Sequence, residues 1–149
     1  MKRGFPRARS PADGVCGFSI LELVAAIAVS AIVATSVVAG ARAAGDAARL
    51  ESARLITALA ALASRRAAYT TERVVRLEAL PGTTTLTATV QDTDVRAFEL
   101  PTGTYVAAAT SGGRVRFHPG GHATNATITL AGSSTGTATV VINQRGLIR

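Results

Sequence analysis

The chain has 149 residues, enough for one domain and a short accessory segment. Aromatic residues make up only 4% and tryptophan is absent, so any core must be small and built from Ala, Val, Leu and Ile. The formal charge of +7 would ordinarily suggest a nucleic acid or an anionic surface as partner. However, without residues 1–17 the surplus falls to +4, twelve Arg against eight acidic residues. Much of the basic character is therefore better explained as a membrane topology signal.

The first segment, residues 1–17, is polar, basic and rich in Gly and Pro, and it shows no periodicity. It contains the chain's single cysteine, Cys16, which cannot form an internal disulfide. Lipidation of Cys16 is not expected, because the apolar stretch of the chain lies after this residue rather than before it.

The second segment, residues 18–41, is apolar, and Glu22 is its only charged residue. As a helix these 24 residues would be about 36 Å long, enough to cross a hydrocarbon core of about 30 Å. Four basic residues, Lys2, Arg3, Arg7 and Arg9, lie on the N-terminal side of this segment, which predicts a cytoplasmic N-terminus and a C-terminal domain outside.

The helical pattern continues beyond the membrane segment, and we expect one helix from Phe18 to about Ala68. Gly40 and Gly45 weaken it, each by about 1 kcal/mol relative to Ala. Apolar residues recur every seven positions, with others filling the same side: Ala48, Leu55, Leu62 and Tyr69, then Ile56, Leu59 and Ala63. This second half is therefore predicted to be amphipathic and to pack through that stripe on the rest of the domain.

After Pro81-Gly82 the sequence becomes rich in Thr, Val and Gly, and apolar residues alternate with Thr at Leu86, Ala88 and Val90. Gly- and Pro-containing turns separate the further predicted strands, which are 95–100, 104–109, 114–117, 126–130 and 138–142. The pattern predicts an α+β fold, with a long N-terminal helix packed on a small antiparallel β-sheet domain.

The sharpest local motif is Gly17-Phe18-Ser19-Ile20-Leu21-Glu22-Leu23. It resembles the type III signal of type IV prepilins and pseudopilins: a basic leader, Gly, an apolar residue, and Glu as the fifth residue after the cut. The resemblance implies that prepilin peptidase cuts between Gly17 and Phe18 and methylates the new amine of Phe18. The predicted organisation is a leader (1–17), the transmembrane part of the helix (18–41) and a periplasmic pilin-like domain (42–149).

A carboxylate inside a membrane helix is costly, about 2.5–3.5 kcal/mol at the centre and less near an end. Such groups usually pair, and the amine that cleavage exposes at Phe18 is a natural partner for Glu22, in the same or an adjoining subunit. In the family that the motif resembles, the matching glutamate helps each subunit dock into the growing filament.

An ordinary secretory signal peptide or signal anchor is the alternative for residues 1–41, since Ala39-Gly40-Ala41 offers a small-residue cleavage site. The apolar run is longer than the 7–15 residues usual for a signal-peptide core, and Glu22 would then have no purpose. We therefore favour the prepilin interpretation.

The C-terminal part contains Val115-Arg116-Phe117-His118-Pro119-Gly120-Gly121, a Thr-rich strand through Ile128 and Leu130, Val140-Val141-Ile142-Asn143, and a final Gly146-Leu147-Ile148. This arrangement resembles the GspH/FimT domain of minor pseudopilins and minor pilins. Many major pilins carry a helix-kinking Pro where this chain has Ala39, and this difference favours a minor subunit.

Two functions follow from these resemblances. The first is a minor pseudopilin of a type II secretion system, in the inner membrane and at or near the tip of a periplasmic pseudopilus, with prepilin peptidase, other pilin-like subunits and secreted cargo as partners. The alternative is a FimT-like minor pilin of a type IV pilus that contacts DNA during uptake. For the alternative, the candidate basic patch is Arg114, Arg116, Arg145 and Arg149.

Other candidate sites are weaker. His118 and His122 are separated by Pro and Gly residues, so they cannot share a helical face as zinc ligands. Asp92 and Asp94 are better explained as solvated loop residues than as calcium ligands, and the Asn125 sequon falls in a strand-like stretch. We find no nucleophile–base pairing and no phosphate-binding loop, and we expect neither enzymatic activity nor a cofactor or metal.

Overall fold

The computed structural model describes residues 19–91, 93–132 and 136–149, except for the side chains of Asp94 and Val95. One long helix, α1 (Ile20–Thr71), precedes all the strands. Ser19 caps it, because its Oγ accepts a hydrogen bond from the backbone N–H of Leu21 at 3.3 Å. The helix ends where Glu72 adopts a left-handed φ of 54°, a conformation common after helix ends. It therefore runs three residues beyond the end expected at Ala68.

The chain divides into two compact units, residues 1–38 and 39–149. In the first unit, every described residue from Ser19 to Val38 is exposed. The side chains there are mostly Ala, Val, Leu and Ile, and the helix is long and apolar enough to cross a membrane. An apolar helix segment of this kind is unfavourable in water, so its exposure is consistent with the predicted membrane anchor.

The second unit contains two antiparallel sheets. The strands are β1 (Val75–Glu78), β2 (Thr85–Val90), β3 (Thr93–Glu99), β4 (Thr104–Ala109), β5 (Arg114–Phe117), β6 (Ala126–Gly132) and β7 (Thr137–Ile142). One sheet has the order β3-β2-β1-β5 and the other has the order β4-β6-β7. The predicted α+β class, a long helix packed on a small antiparallel sheet domain, is confirmed, and its strands are divided between two sheets.

Strand β1 was not expected from the sequence, although it lies between β2 and β5 in the four-stranded sheet. Its four residues alternate between buried Val75 and Leu77 and half-buried Arg76 and Glu78. Two apolar residues separated by Arg give only a weak period-2 signal. Pairing on both edges is what establishes this strand.

The face of α1 that packs against the sheets differs from the predicted stripe. The buried helix residues are Ala53, Thr57, Ala60, Ala61, Ser64 and Ala68. By contrast, Leu55, Leu59, Leu62 and Tyr69 remain 50–59% exposed. The prediction that this leucine stripe packs on the sheets is therefore wrong. The large fully buried side chains come from the strands, chiefly Leu77, Leu86, Phe117, Ile128, Leu130 and Ile142, and the fully buried helix positions hold only small residues. Of the predicted stripe, Ile56 does pack, partly buried, against this core.

Two hydroxyl groups on the buried face of α1 are satisfied within the helix itself. Thr57 Oγ1 donates to the carbonyl of Ala53 at 2.9 Å, and Ser64 Oγ donates to the carbonyl of Ala60 at 2.8 Å. Because these bonds go to the preceding turn, the hydroxyl groups can be buried without a partner on the sheets. A face of Ala, Ser and Thr can therefore serve as core surface.

Candidate functional site

The predicted cleavage site, Gly17 and Phe18, lies outside the described residues. Glu22 lies within them, in the first turn of α1, where the positive end of the helix dipole favours a carboxylate. Its side chain is exposed and makes no hydrogen bond or ion pair with any residue that the structure describes. Ser19 and Glu22 have the spacing of a capping box, although the structure shows no bond from the Ser19 N–H to the Glu22 carboxylate.

The most prominent unpartnered surface of the second unit is an apolar strip on α1, here called the outer stripe: Leu55, Leu59, Leu62 and Tyr69. At 100° per residue these positions fall on one side of the helix, opposite the buried face centred on Ser64. The outer stripe spans about 21 Å along the helix axis. The sequence predicted these residues to be a contact face, but the structure leaves the three leucines exposed, and Tyr69 is half exposed with its hydroxyl against the turn at Gly121.

Two residues of α1, Arg65 and the outer-stripe residue Tyr69, contact the C-terminal turns, and neither contact was predicted from the sequence. Arg65 Nη1 donates to the carbonyl of Gly146 at 3.0 Å. The Tyr69 hydroxyl lies directly beside Gly121, where an added Cβ would collide with it. Both glycines have a positive φ, 84° at Gly121 and 68° at Gly146, so their turns suit glycine.

The four arginines of the predicted basic patch fall in two places. Arg114 and Arg116 lie on β5 of the four-stranded sheet, where Arg114 Nε pairs with Glu78 Oε1 at 3.1 Å. Arg145 and Arg149 follow β7 and line a groove of about 450 Å³, here called the C-terminal groove. Its other lining residues are Asn125, Asn143, Gln144 and Leu147. The patch is therefore two separate basic features.

The remaining candidate metal ligands do not form a cluster within the described residues. His118 and His122 are exposed and lie in the loop after β5, where the N–H of His118 donates to the carbonyl of His122 at 2.9 Å. They border an open depression of about 810 Å³. Within the described residues no three His, Cys, Asp or Glu side chains come together as metal ligands would. Asp92 is not among those residues, and the side chain of Asp94 is not described.

The fold is that of type IV pilin-like proteins. No protein-family model matches the sequence, and no curated protein matches it. Among solved structures, the type IV minor pilin FimU of Pseudomonas aeruginosa aligns with a TM-score of 0.57 and 18% identity, covering 67% of this chain and 86% of FimU. The minor pseudopilin EpsH from the type 2 secretion system of Vibrio cholerae aligns with a TM-score of 0.56 and 13% identity, covering 68% of this chain and 94% of EpsH. At these identities the likeness concerns the fold.

Proposed function

We propose that this chain is a minor pseudopilin of a type II secretion system. Prepilin peptidase cuts it between Gly17 and Phe18 and methylates Phe18. The mature subunit is held in the inner membrane by the first part of α1, with its sheet domain in the periplasm. It then assembles through α1 with other pilin-like subunits at or near the tip of a pseudopilus and supports protein export without catalysis of its own.

The outer stripe is the observation that supports assembly through the helix. Large exposed apolar patches on soluble domains usually mark interaction sites, and here four large side chains align on one helix face. Two features, the pilin-like fold and the exposed apolar segment from Ser19 to Val38, support a partner that also presents an apolar helix.

An assembly assay in the producing bacterium tests this role. Leu62→Lys places a charge in the middle of the outer stripe, and we expect cross-linking to other pilin-like subunits and export of cargo to fall at least about tenfold. Tyr105→Lys is the matched control, because Tyr105 is similarly exposed, at 42% against 50%, but lies on β4. If Tyr105→Lys reduced cross-linking and export as much as Leu62→Lys does, a specific interface on the helix would be contradicted.

The leader is tested by mass spectrometry of the protein extracted from membranes. The expected N-terminus is a methylated Phe18, and cleavage after Ala41 would instead indicate an ordinary signal peptide. Any other mature N-terminus overturns the precursor proposal.

Glu22 is tested by Glu22→Gln, because glutamine keeps the capping-box chemistry but removes the charge. If the carboxylate pairs with the Phe18 amine during docking, this variant is cleaved normally but incorporated several-fold less well. Normal incorporation would leave Glu22 with a role inside its own helix only.

A second function, DNA contact by a FimT-like minor pilin, is supported by one observation. Arg145 and Arg149 share the C-terminal groove with amide side chains, and no acidic residue follows Glu99 in the sequence. If the groove binds DNA, the affinity of the full-length protein falls steeply with salt, and Arg145→Gln with Arg149→Gln removes about two units of the salt slope. If the full-length protein does not bind DNA at low salt, this function is excluded.

A further inference from the structure

The two histidines of the chain close a tight hairpin that follows β5. The N–H of His118 donates to the carbonyl of His122 at 2.9 Å, and the N–H of Gly121 donates to the carbonyl of His118, also at 2.9 Å. Because Gly121 has a positive φ of 84°, Pro119, Gly120 and Gly121 form a three-residue hairpin loop with glycine in the left-handed position. The loop therefore makes His118 and His122 direct neighbours across the hairpin.

Burial of the adjacent pair shows which way the two imidazoles point. Phe117 and Ala123 form an antiparallel bridge next to the histidines, and both are buried in the core. Because successive residues of a strand point to opposite faces, His118 and His122 both point away from the core, and both are exposed. Directly opposed side chains have Cβ atoms about 5 Å apart. Each imidazole can therefore direct one ring nitrogen at the same metal ion, which takes its nitrogen ligands at about 2 Å.

The residues between the histidines exclude one shared surface and create another. Pro119, Gly120 and Gly121 disfavour a helix, so the two histidines cannot bind a metal from one helical face. The same three residues favour the hairpin that places the two histidines side by side. Sequence spacing alone does not distinguish these arrangements, whereas the backbone hydrogen bonds of the folded chain do.

The surroundings of the histidine pair decide which ions it can bind. Both histidines line the open depression of about 810 Å³, together with Thr124, Gln144 and Arg145, and none of the described residues that line it is acidic. Hard cations such as Ca²⁺ and Mg²⁺ need oxygen ligands, chiefly carboxylates, and the charge of Arg145 repels them further. Imidazole nitrogen instead suits late first-row metals, and among these Cu²⁺ binds nitrogen sites most tightly.

We propose that His118 and His122 together bind one late first-row divalent cation, Cu²⁺ most tightly. Two protein ligands are fewer than the three or four of catalytic and structural zinc sites. Water or a ligand from another molecule therefore completes the coordination, and the ion exchanges readily with solvent. The site is formed by the hairpin itself, so the chain folds without the metal. This inference does not rest on the assembly role.

Calorimetric titration of the full-length protein with CuCl₂ tests the site. The protein is kept in uncharged detergent, carries no histidine tag, and has Cys16→Ser to remove its one thiol. We expect one Cu²⁺ per chain. His118→Gln and His122→Gln should each weaken binding by about tenfold or more, because either change leaves the ion attached through a single imidazole.

Arg145→Gln is the matched control, because Arg145 lines the same depression but its guanidinium cannot act as a metal ligand. Its loss removes a repelling charge, so Cu²⁺ should bind as tightly as in the wild type or more tightly. The proposal would be overturned if Cu²⁺ showed no saturable binding, or if Arg145→Gln weakened binding as much as the histidine variants do. It would also be overturned if the wild type bound two ions and each histidine variant bound one, since the histidines would then act independently.

A relocated histidine tests the geometry while the number of histidines stays at two. His122→Gln combined with Tyr105→His places the second imidazole on β4, opposite Ala131 and about 20 Å along the sheet from the depression. This double variant should bind Cu²⁺ no more tightly than His122→Gln alone. Electron paramagnetic resonance of the wild-type complex should show coupling of Cu²⁺ to two imidazole nitrogens. Wild-type affinity in the double variant, or a wild-type spectrum without coupling to two nitrogens, would contradict the proposal.

Discussion

The two sides of α1 between Leu50 and Tyr69 differ in a way that hydrophobicity alone does not predict. The fully buried positions on the side packed against the sheets are all Ala, Ser or Thr, with the partly buried Leu50 and Ile56 beside them, whereas the opposite side carries three leucines and a tyrosine that are about half exposed. Close approach of helix and sheet requires small side chains at the contact when the strands already supply the large ones. The small residues thus make the closest contacts of α1 with the sheets, and the large ones are the residues that the proposed partner would contact.

The largest difference between the two sides should appear when a small residue is enlarged. Ala60 is fully buried, so Ala60→Leu overpacks the core and should cost about 1–3 kcal/mol of unfolding free energy. The melting temperature followed by circular dichroism should fall by about 4–12 °C. Ala48→Leu is the control, because Ala48 is exposed on the same helix. Equal stability of the two variants would refute tight packing of the small face.

A smaller loss is expected where the helix contacts the C-terminal turns. Gly121→Ala places a Cβ at a φ of 84° and beside the Tyr69 hydroxyl, which should cost about 1–2 kcal/mol. Gly120→Ala, at a position with open space and no positive φ, should be nearly neutral in the same thermal unfolding measurement. Adding Tyr69→Phe to Gly121→Ala removes the hydroxyl that meets the new Cβ. The double variant should therefore recover only the part of the unfolding free energy that this steric clash costs.

Truncation on the outer side should hardly affect the isolated subunit. Leu59 is 59% exposed, so Leu59→Ala should change the unfolding free energy by no more than about 0.5 kcal/mol. The same variant should nevertheless reduce assembly in the bacterium, because its partner would lose an apolar contact. A loss of stability comparable with that of Ala60→Leu would show that the outer stripe already contributes to the core.

The smallest effect concerns the ion pair at the edge of the outer side. The hydrogen bond from Arg54 lowers the pKa of Glu51, and the two side chains meet at 2.7 Å. A carboxyl group with a lowered pKa adds stability above its ordinary pKa, and this contribution disappears as the pH falls through the lowered value. Both side chains are exposed, so Glu51→Gln should only slightly flatten the acid side of the stability–pH curve. A change at neutral pH larger than that of Leu59→Ala would contradict this account.

Structural features that depend on neighbouring residues were predictable from the sequence, whereas a feature that depends on distant residues was not. The helix was predicted to within three residues at its C-terminal end, since an apolar segment followed by an amphipathic one is a local pattern. Turn glycines and prolines likewise located β2 and the strands after it. Strand β1 was missed because it has only four residues, two of them charged. It forms a strand because it pairs with β2 on one side and with β5 on the other.

The sequence by itself determined the α+β fold class, the apolar helix start with Glu22 in its first turn, and the positions of most strands along the chain, but not their order in the sheets. Only the tertiary structure decided which face of α1 is buried, because that choice depends on the volume left by side chains from distant strands. The same holds for the arginines. Strand register brings Arg76 opposite Arg116 and Glu78 opposite Arg114, and the second of these pairs forms an ion pair. Pairing partners 40 and 36 residues apart in the sequence leave no local pattern, so only the folded chain shows them.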